Sequence, residues 1–370
     1  MSMQGYAVAG SNYTRVLRDV LQSAASAQFN LNVFKFNEKI TSVTDLPVSD
    51  LVLPDFYAGK DTPLTALVDR IASTPDHTAI VISDLVQSEG TRTRDTNSLI
   101  KSLARLAVKR PQIRLLAYRS NFVGFYFPEF KHVGKFHLAL SQALPGTGRP
   151  FYLLVVAPSR STMDRVDAHV LSRVPPIHIF NPTAPPVVVD SIDLRTDSGK
   201  PSTWGKYSPT QRKPGRIEAA FALHKKSDAD SIALPLVVRV HWNEPLHEPG
   251  RLELDVTRAV WRGGSDFDAA EEVPMPLSAS LTHNGEQLAL DLTVRPPQSK
   301  YWDIYDIKMR GGEGNVDVPD WVSSWNTDDD SQGSNGNRTF QLTPLIDTMN
   351  RAITQHVVFC EYVVTIRRGA

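Results

Sequence analysis

The sequence predicts an α/β chain: a doubly wound, mainly parallel sheet in the first half, and a second, mainly antiparallel β-sandwich domain in the rest. Three observations carry this expectation. Helix-period and strand-period patterns alternate from the start to about residue 182, the signature of a layered α/β fold. Within that stretch Thr78-Ala-Ile-Val-Ile-Ser-Asp84 holds an unbroken apolar run at residues 79–82, as in a parallel strand covered on both faces. Beyond residue 215 the texture changes to extended segments broken by turn signals such as Asn284-Gly285.

The elements follow in order. Tyr13, Val16, Leu17, Val20, Leu21 and Ala24 fall on one helical stripe, with Ser11 or Asn12 placed to cap it. Leu31 to Phe36 reads as a strand. Thr62-Pro63 opens a second helix whose Leu64, Leu67, Val68 and Ile71 share a face, proline being tolerated in a first turn. After the apolar run, a helix over about 95–110 turns Leu99, Leu103, Leu106 and Ala107 inward and Lys101, Arg105, Lys109 and Arg110 outward. Ile113 to Tyr118, Phe122 to Phe127 and Phe151 to Ala157 are extended runs, Met163 to Val174 is helical, and Ile177 to Phe180 suits a sheet edge. In the second half, Ile217 to Leu223, Ile232 to Trp242, Arg251 to Val260, Ser278 to Thr282, Gln287 to Val294, Trp302 to Met309 and Val357 to Ile366 read as strands. One helix, roughly Leu345 to Ile353, interrupts them.

A chain of 370 residues is long for one core, which divides it into residues 1–182, a Pro-, Ser- and basic-rich linker over 183–215, and residues 216–370. Lysine plus arginine (40) equals aspartate plus glutamate (40), so the overall charge gives no reason to expect a nucleic-acid or acidic-membrane partner. A single cysteine, Cys360, excludes an internal disulfide framework and fits a reducing compartment. No run reaches the length of a membrane span. The expectation is a soluble, cytoplasmic protein without a membrane partner.

In open α/β sheets ligands bind beyond the carboxyl ends of the strands, which makes Asp84 the first site residue. Two other short motifs stand in order before it: Ser2-Met3 with Gly5, and Thr62 in Ala58-Gly-Lys-Asp-Thr-Pro63. Over residues 2–180 this order resembles the von Willebrand factor type A domain, in which a doubly wound sheet carries a metal-ion-dependent adhesion site on its upper rim. The resemblance implies that Ser2, Thr62 and Asp84 are oxygen ligands of Mg2+ or Ca2+, hard cations that such donors suit. It implies binding rather than catalysis, and no organic cofactor.

The family's Asp-x-Ser opening, with its first strand, would lie before Met1. The expectation is therefore either a truncated start or a chain that completes its sheet otherwise, with an incomplete site that holds Mg2+ weakly or not at all. Each residue also has a plain reading: Thr62 as a helix cap, Asp84 as a solvated strand end, Ser2 as a terminal residue.

Other motifs carry less. Asp328-Asp-Asp330-Ser-Gln332-Gly333 partly matches a calcium loop, but Thr339 stands where a bidentate glutamate is needed, so an acidic loop is expected. Gly311-Gly-Glu-Gly314 lacks dinucleotide-site spacing, and His241 and His247 do not form a zinc helix motif. The functional expectation is a protein-binding or scaffold component of a multi-protein complex, contacting its partner near Thr62, Asp84 and Ser88 to Arg94. The alternatives are a structural subunit with a vestigial metal site and a metal-dependent hydrolase.

Overall fold

The structure is a computed structural model; it describes residues 2–37, 39–43, 50, 53–57, 64–86, 92–108, 112–130, 134–143, 146–182, 187–195, 204–207, 217–223, 232–242, 252–261, 271–273, 278–284, 287–294, 302–311, 318–354 and 358–368. Two compact units emerge, residues 1–183 with 316–356, and residues 184–315 with 357–370. The sequence division at 182 coincides with the first crossing. The remainder differs in part: residues 316–356, expected in the second domain, join the first unit, and the linker contributes two strands to the second, one of them over the apolar run Val187-Val-Val189 that already suited a sheet.

The first unit opens with a short 3-10 helix, Ser2–Tyr6, and then α1 (Asn12–Ser26), whose N-cap Ser11 accepts from Thr14 N. An extended-backbone cap with a hydroxyl satisfies a first-turn amide that the helix itself leaves unpaired. There follow β1 (Val33–Phe36), β2 (Ile40–Val43), α2 (Leu64–Ser73), β3 (Ala79–Ser83), α3 (Arg92–Val108), β4 (Gln112–Ser120), β5 (Phe122–Tyr126), β6 (Phe136–Leu140), β7 (Arg149–Ala157), α4 (Arg160–His169) and β8 (His178–Phe180). The helical stripes are buried as their spacing requires: Tyr13, Val16, Val20 and Ala24 on α1, Leu64, Leu67, Val68 and Ile71 on α2, and Leu99, Leu103, Leu106 and Ala107 on α3.

The doubly wound, mainly parallel sheet does not form. The main sheet has the order β3-β7-β4-β8 and is antiparallel at every pairing. Strands β3 and β4, joined through α3, run in the same direction, as a crossover unit demands, but β7 lies between them and runs the other way. An apolar run signals burial and says nothing about strand direction, which is where the expectation failed. The strand covered on both faces is β7, buried at all nine positions, whereas β3 is an edge. Likewise β1 leaves the main sheet and pairs with β2 alone.

One face of β7 and β4, with Phe151, Leu153, Val155, Leu116 and Tyr118, shares a core with α1, α4 and the inward residues Phe122, Tyr126 and Leu138 of the β5–β6 ribbon. On the other face Tyr152 reaches Trp325 and Thr339. The backbone of the first helix passes close to β5: a Cβ on Gly124 would stand 3.1 Å from Gly5 Cα, and one on Gly5 would stand 2.3 Å from Phe122 Cζ. Only glycine permits this approach at Gly5.

The second unit contains β9 (Val187–Leu194), β10 (Trp204–Tyr207), β11 (Ile217–Leu223), β12 (Ile232–Trp242), β13 (Leu252–Trp261), β14 (Glu271–Val273), β15 (Ser278–Asn284), β16 (Gln287–Val294) and β17 (Trp302–Gly311). The chain then returns to the first unit with α5 (Asp320–Trp325), β18 (Asn326–Thr327), β19 (Thr339–Phe340) and α6 (Leu342–Thr354), and ends in the second unit with β20 (Val358–Arg368). Two sheets, β10-β11-β20-β17-β13-β14 and β15-β16-β12-β9, share one hydrophobic core through Phe221, Tyr305, Ile307, Val364 and Ile366 on one side and Leu234, Leu236, Val238, Leu290 and Leu292 on the other. All pairings in them are antiparallel except β11 with β20. Asn284 pairs with Gln287, so β15 and β16 form a hairpin closed by two residues. Among the described residues no helix is long and apolar enough to cross a membrane.

Candidate functional site

The site is built where β3 ends. Ser83 Oγ accepts from Leu85 N at 3.0 Å, and Asp84 Oδ1 accepts from Val86 N at 3.3 Å. Between these bonds Leu85 takes φ +57, the left-handed region that L-residues avoid. Such a backbone costs on the order of 1–3 kcal/mol and persists only where its surroundings hold it. Here the two side-chain bonds and the burial of Leu85 hold it, and the turn sinks Asp84 below the surface.

Asp84 and Arg149, at the start of β7, are each 1% exposed, and Arg149 Nη2 lies 3.7 Å from Asp84 Oδ2. That oxygen makes no hydrogen bond among the described residues, so the guanidinium charge is what faces it. Arg149 has further anchors. Its Nη1 donates to Gly336 O at 2.9 Å, and its guanidinium stands 4.2 Å from the Tyr126 ring centroid and 5.3 Å from that of Phe122. Burial works against the charge, but the Asp84 carboxylate beside it helps to keep the guanidinium raised above its ordinary value.

Around this pair the returning segment is latched to the sheet ends. Asp330, also buried, accepts from the Tyr126 hydroxyl, from Glu129 N at 3.0 Å and from Phe130 N at 2.9 Å. Arg119, at the end of β4, donates to Gly148 O at 2.9 Å and Asn337 O at 2.8 Å, and stacks its guanidinium 4.2 Å from the Trp325 ring. Tyr152 and Thr339 share a hydroxyl hydrogen bond of 2.8 Å. The acidic stretch is irregular backbone, as expected, with Asp328, Gln332 and Gly333 exposed, but Asp330 within it is buried where three donors converge.

Of the residues implied as metal ligands, Asp84 lies in this cluster. Ser2 begins the 3-10 helix whose far end, Tyr6, donates to Pro150 O and feels the charges of Arg149 and Asp84. Thr62 lies outside the described residues, as do the Ser2 side chain and residues 88–91 of the expected contact loop, whose end, Arg92 to Arg94, falls in α3. A divalent cation needs several oxygen donors and net negative charge. The described residues supply one carboxylate already faced by a guanidinium, and among them no three His, Cys, Asp or Glu side chains gather as a metal group. The described residues alone do not complete a Mg2+ or Ca2+ centre.

The pattern could not be read from the sequence because its members are remote. Arg149, Arg119 and Asp330 each look solvated in a linear reading, and Asp330 meets Tyr126 across 204 positions.

A second feature adjoins the cluster. On the β5–β6 ribbon, Phe122, Tyr126 and Leu138 face inward, while Val123 and Phe125 are 50% and 51% exposed on the outer face. Their cross-strand partners are Ala139 and His137, the His137 ring meeting Phe125 edge-on at 5.9 Å, and Lys135 Nζ stands 4.4 Å from the Phe125 centroid.

His178 on β8 stacks on Trp321, with centroids 5.0 Å apart and planes at 3°, and meets Trp325 edge-on at 5.2 Å. Burial, then the Arg119 charge, depresses its pKa below the ordinary value. A depressed histidine stays neutral in the folded state while the unfolded chain takes up the proton. Stability is therefore full above about pH 6.5 and falls as the pH drops through it. The thermal midpoint is expected to decline more between about pH 7 and pH 5 in the wild-type protein than in His178→Gln. Coincident pH profiles for the two proteins would contradict this assignment.

No protein-family model, curated protein or solved structure matches this chain.

Proposed function

We propose that this chain is a protein-binding or scaffold component of a multi-protein assembly, and that the outer face of the β5–β6 ribbon is its contact surface. The observation that carries the reading is the pair Val123 and Phe125, half exposed side by side on a ribbon whose other face is locked. Exposed apolar side chains are ordinary when scattered, but a contiguous group on a fixed backbone is what interface cores use. The ribbon is fixed because Tyr126 bonds to Asp330, Phe122 packs against Tyr6 at 5.1 Å, and Gly124 abuts Gly5. A surface prepared in this way loses little side-chain and backbone freedom on binding.

Equal numbers of basic and acidic residues support a protein rather than a nucleic-acid partner, and the lone Cys360 supports work in the cytoplasm.

A photo-crosslinking amino acid placed at Phe125, in the cells that make the protein, tests the surface. A control at Arg18, whose side chain is 52% exposed, samples another face. A discrete protein adduct from position 125, absent from position 18 and lost in Val123→Glu, is expected. Equal adducts from both positions, or none from 125, would remove the ribbon as the contact surface.

A further inference from the structure

The end of β3 presents an aspartate where the type A resemblance implies a metal ligand, and it presents that aspartate to a guanidinium. Arg149 Nη2 is 3.7 Å from Asp84 Oδ2, with both side chains 1% exposed. Arg149 is held in this place by groups other than Asp84: Gly336 O accepts from Nη1 at 2.9 Å, and the Tyr126 ring lies 4.2 Å beneath the guanidinium. Tyr126 is in turn fixed by Asp330. The arginine is thus positioned by the fold and does not arrive by chance.

A divalent ion on Asp84 Oδ2, at the usual ligand distance of about 2.1–2.5 Å, would stand within a few ångströms of that positive charge. Both would be out of water, where like charges repel far more strongly than on a surface. Among the described residues, the hydroxyls that interact with Asp84 do not relieve this. Burial raises the pKa of the Tyr6, Tyr126 and Tyr152 hydroxyls above the ordinary phenol value, so they remain neutral.

We propose that Arg149 is the built-in counter-ion of Asp84, and that this end of β3 is held together without a divalent cation. Asp84 then keeps its pairing with Arg149 and its bond to Val86 N at any magnesium or calcium concentration. The ribbon that packs on the same cluster is presented constitutively, whatever protein it meets.

The test is made on the full chain. Thermal midpoints are measured in EDTA, in millimolar Mg2+ and in millimolar Ca2+, for the wild-type protein and for Asp84→Asn, and equilibrium dialysis with Mn2+ gives the number of ions bound. The expected result is no midpoint shift with either ion in the wild-type protein, and no bound Mn2+ that is lost on substitution. A metal response that persists in Asp84→Asn arises elsewhere in the chain and leaves Asp84 paired with Arg149, as proposed. A response present in the wild-type protein and abolished by Asp84→Asn overturns the proposal.

If Asp84→Asn does not fold, the wild-type protein decides alone. Mn2+ at Asp84 would selectively broaden the amide resonances of Leu85 and Val86. Broadening there overturns the proposal, and unbroadened signals support it.

Discussion

Arg149→Met is expected to destabilise the first unit by about 3–5 kcal/mol, the cost of leaving one partner of a buried ion pair without the other. The substitution keeps much of the side-chain volume, so little of the loss comes from a cavity. What it leaves is the Asp84 carboxylate, 1% exposed, with Oδ2 making no hydrogen bond among the described residues. It also removes the donor to Gly336 O and the cation over Tyr126. Arg149→Lys is expected to recover only part of the loss, because an ammonium cannot serve Gly336 and Asp84 together with a planar fork or stack on the ring. Hydrogen exchange of the β7 amides reads the first unit specifically, and protection equal to wild type in Arg149→Met would show that the pair contributes nothing.

Asp330→Ala carries the second large effect, about 3 kcal/mol or more, from three buried or half-buried donors left without their acceptor at roughly 1–3 kcal/mol each. The donors are the Tyr126 hydroxyl and the amides of Glu129 and Phe130. Asp330→Asn is expected to fall between wild type and alanine, since its carbonyl can still accept while its amide group faces a donor. The amides of Glu129 and Phe130 should exchange faster in both variants. Unchanged exchange there would mean that the returning segment is not latched through Asp330.

The helices were legible in the sequence because their signal is local. Ser11 and the stripe Tyr13, Val16, Val20 and Ala24 define α1 without reference to anything else in the chain. Most strands were legible as strands for the same reason. Their arrangement was not. Phe151 to Ala157 announces a buried strand, but nothing in it says that it runs antiparallel between β3 and β4. The weak strands β6 and β10 carry no apolar run long enough to detect beside their neighbours.

The site was legible at one residue, Asp84, because a carboxylate at the end of an apolar strand is conspicuous. Its partner was hidden. An arginine before a strand is usually solvated, and Arg149 is buried only because Gly336, from far along the chain, supplies a carbonyl and Tyr126 supplies a ring. Of the aspartate triplet Asp330 alone is buried, because the backbone at Glu129 and Phe130 turns two amides toward it. Long-range pairing of this kind leaves no spacing signal in the sequence.

The central claim is that Asp84 and Arg149 act as one unit, and a double-mutant cycle tests it most directly. Unfolding free energies are measured for wild type, Asp84→Asn, Arg149→Met and the double variant. A favourable coupling of about 1–3 kcal/mol is predicted, the double variant losing less than the two single variants together. Losses that add to within about 0.5 kcal/mol would mean that the two residues do not sense each other, and would contradict the account.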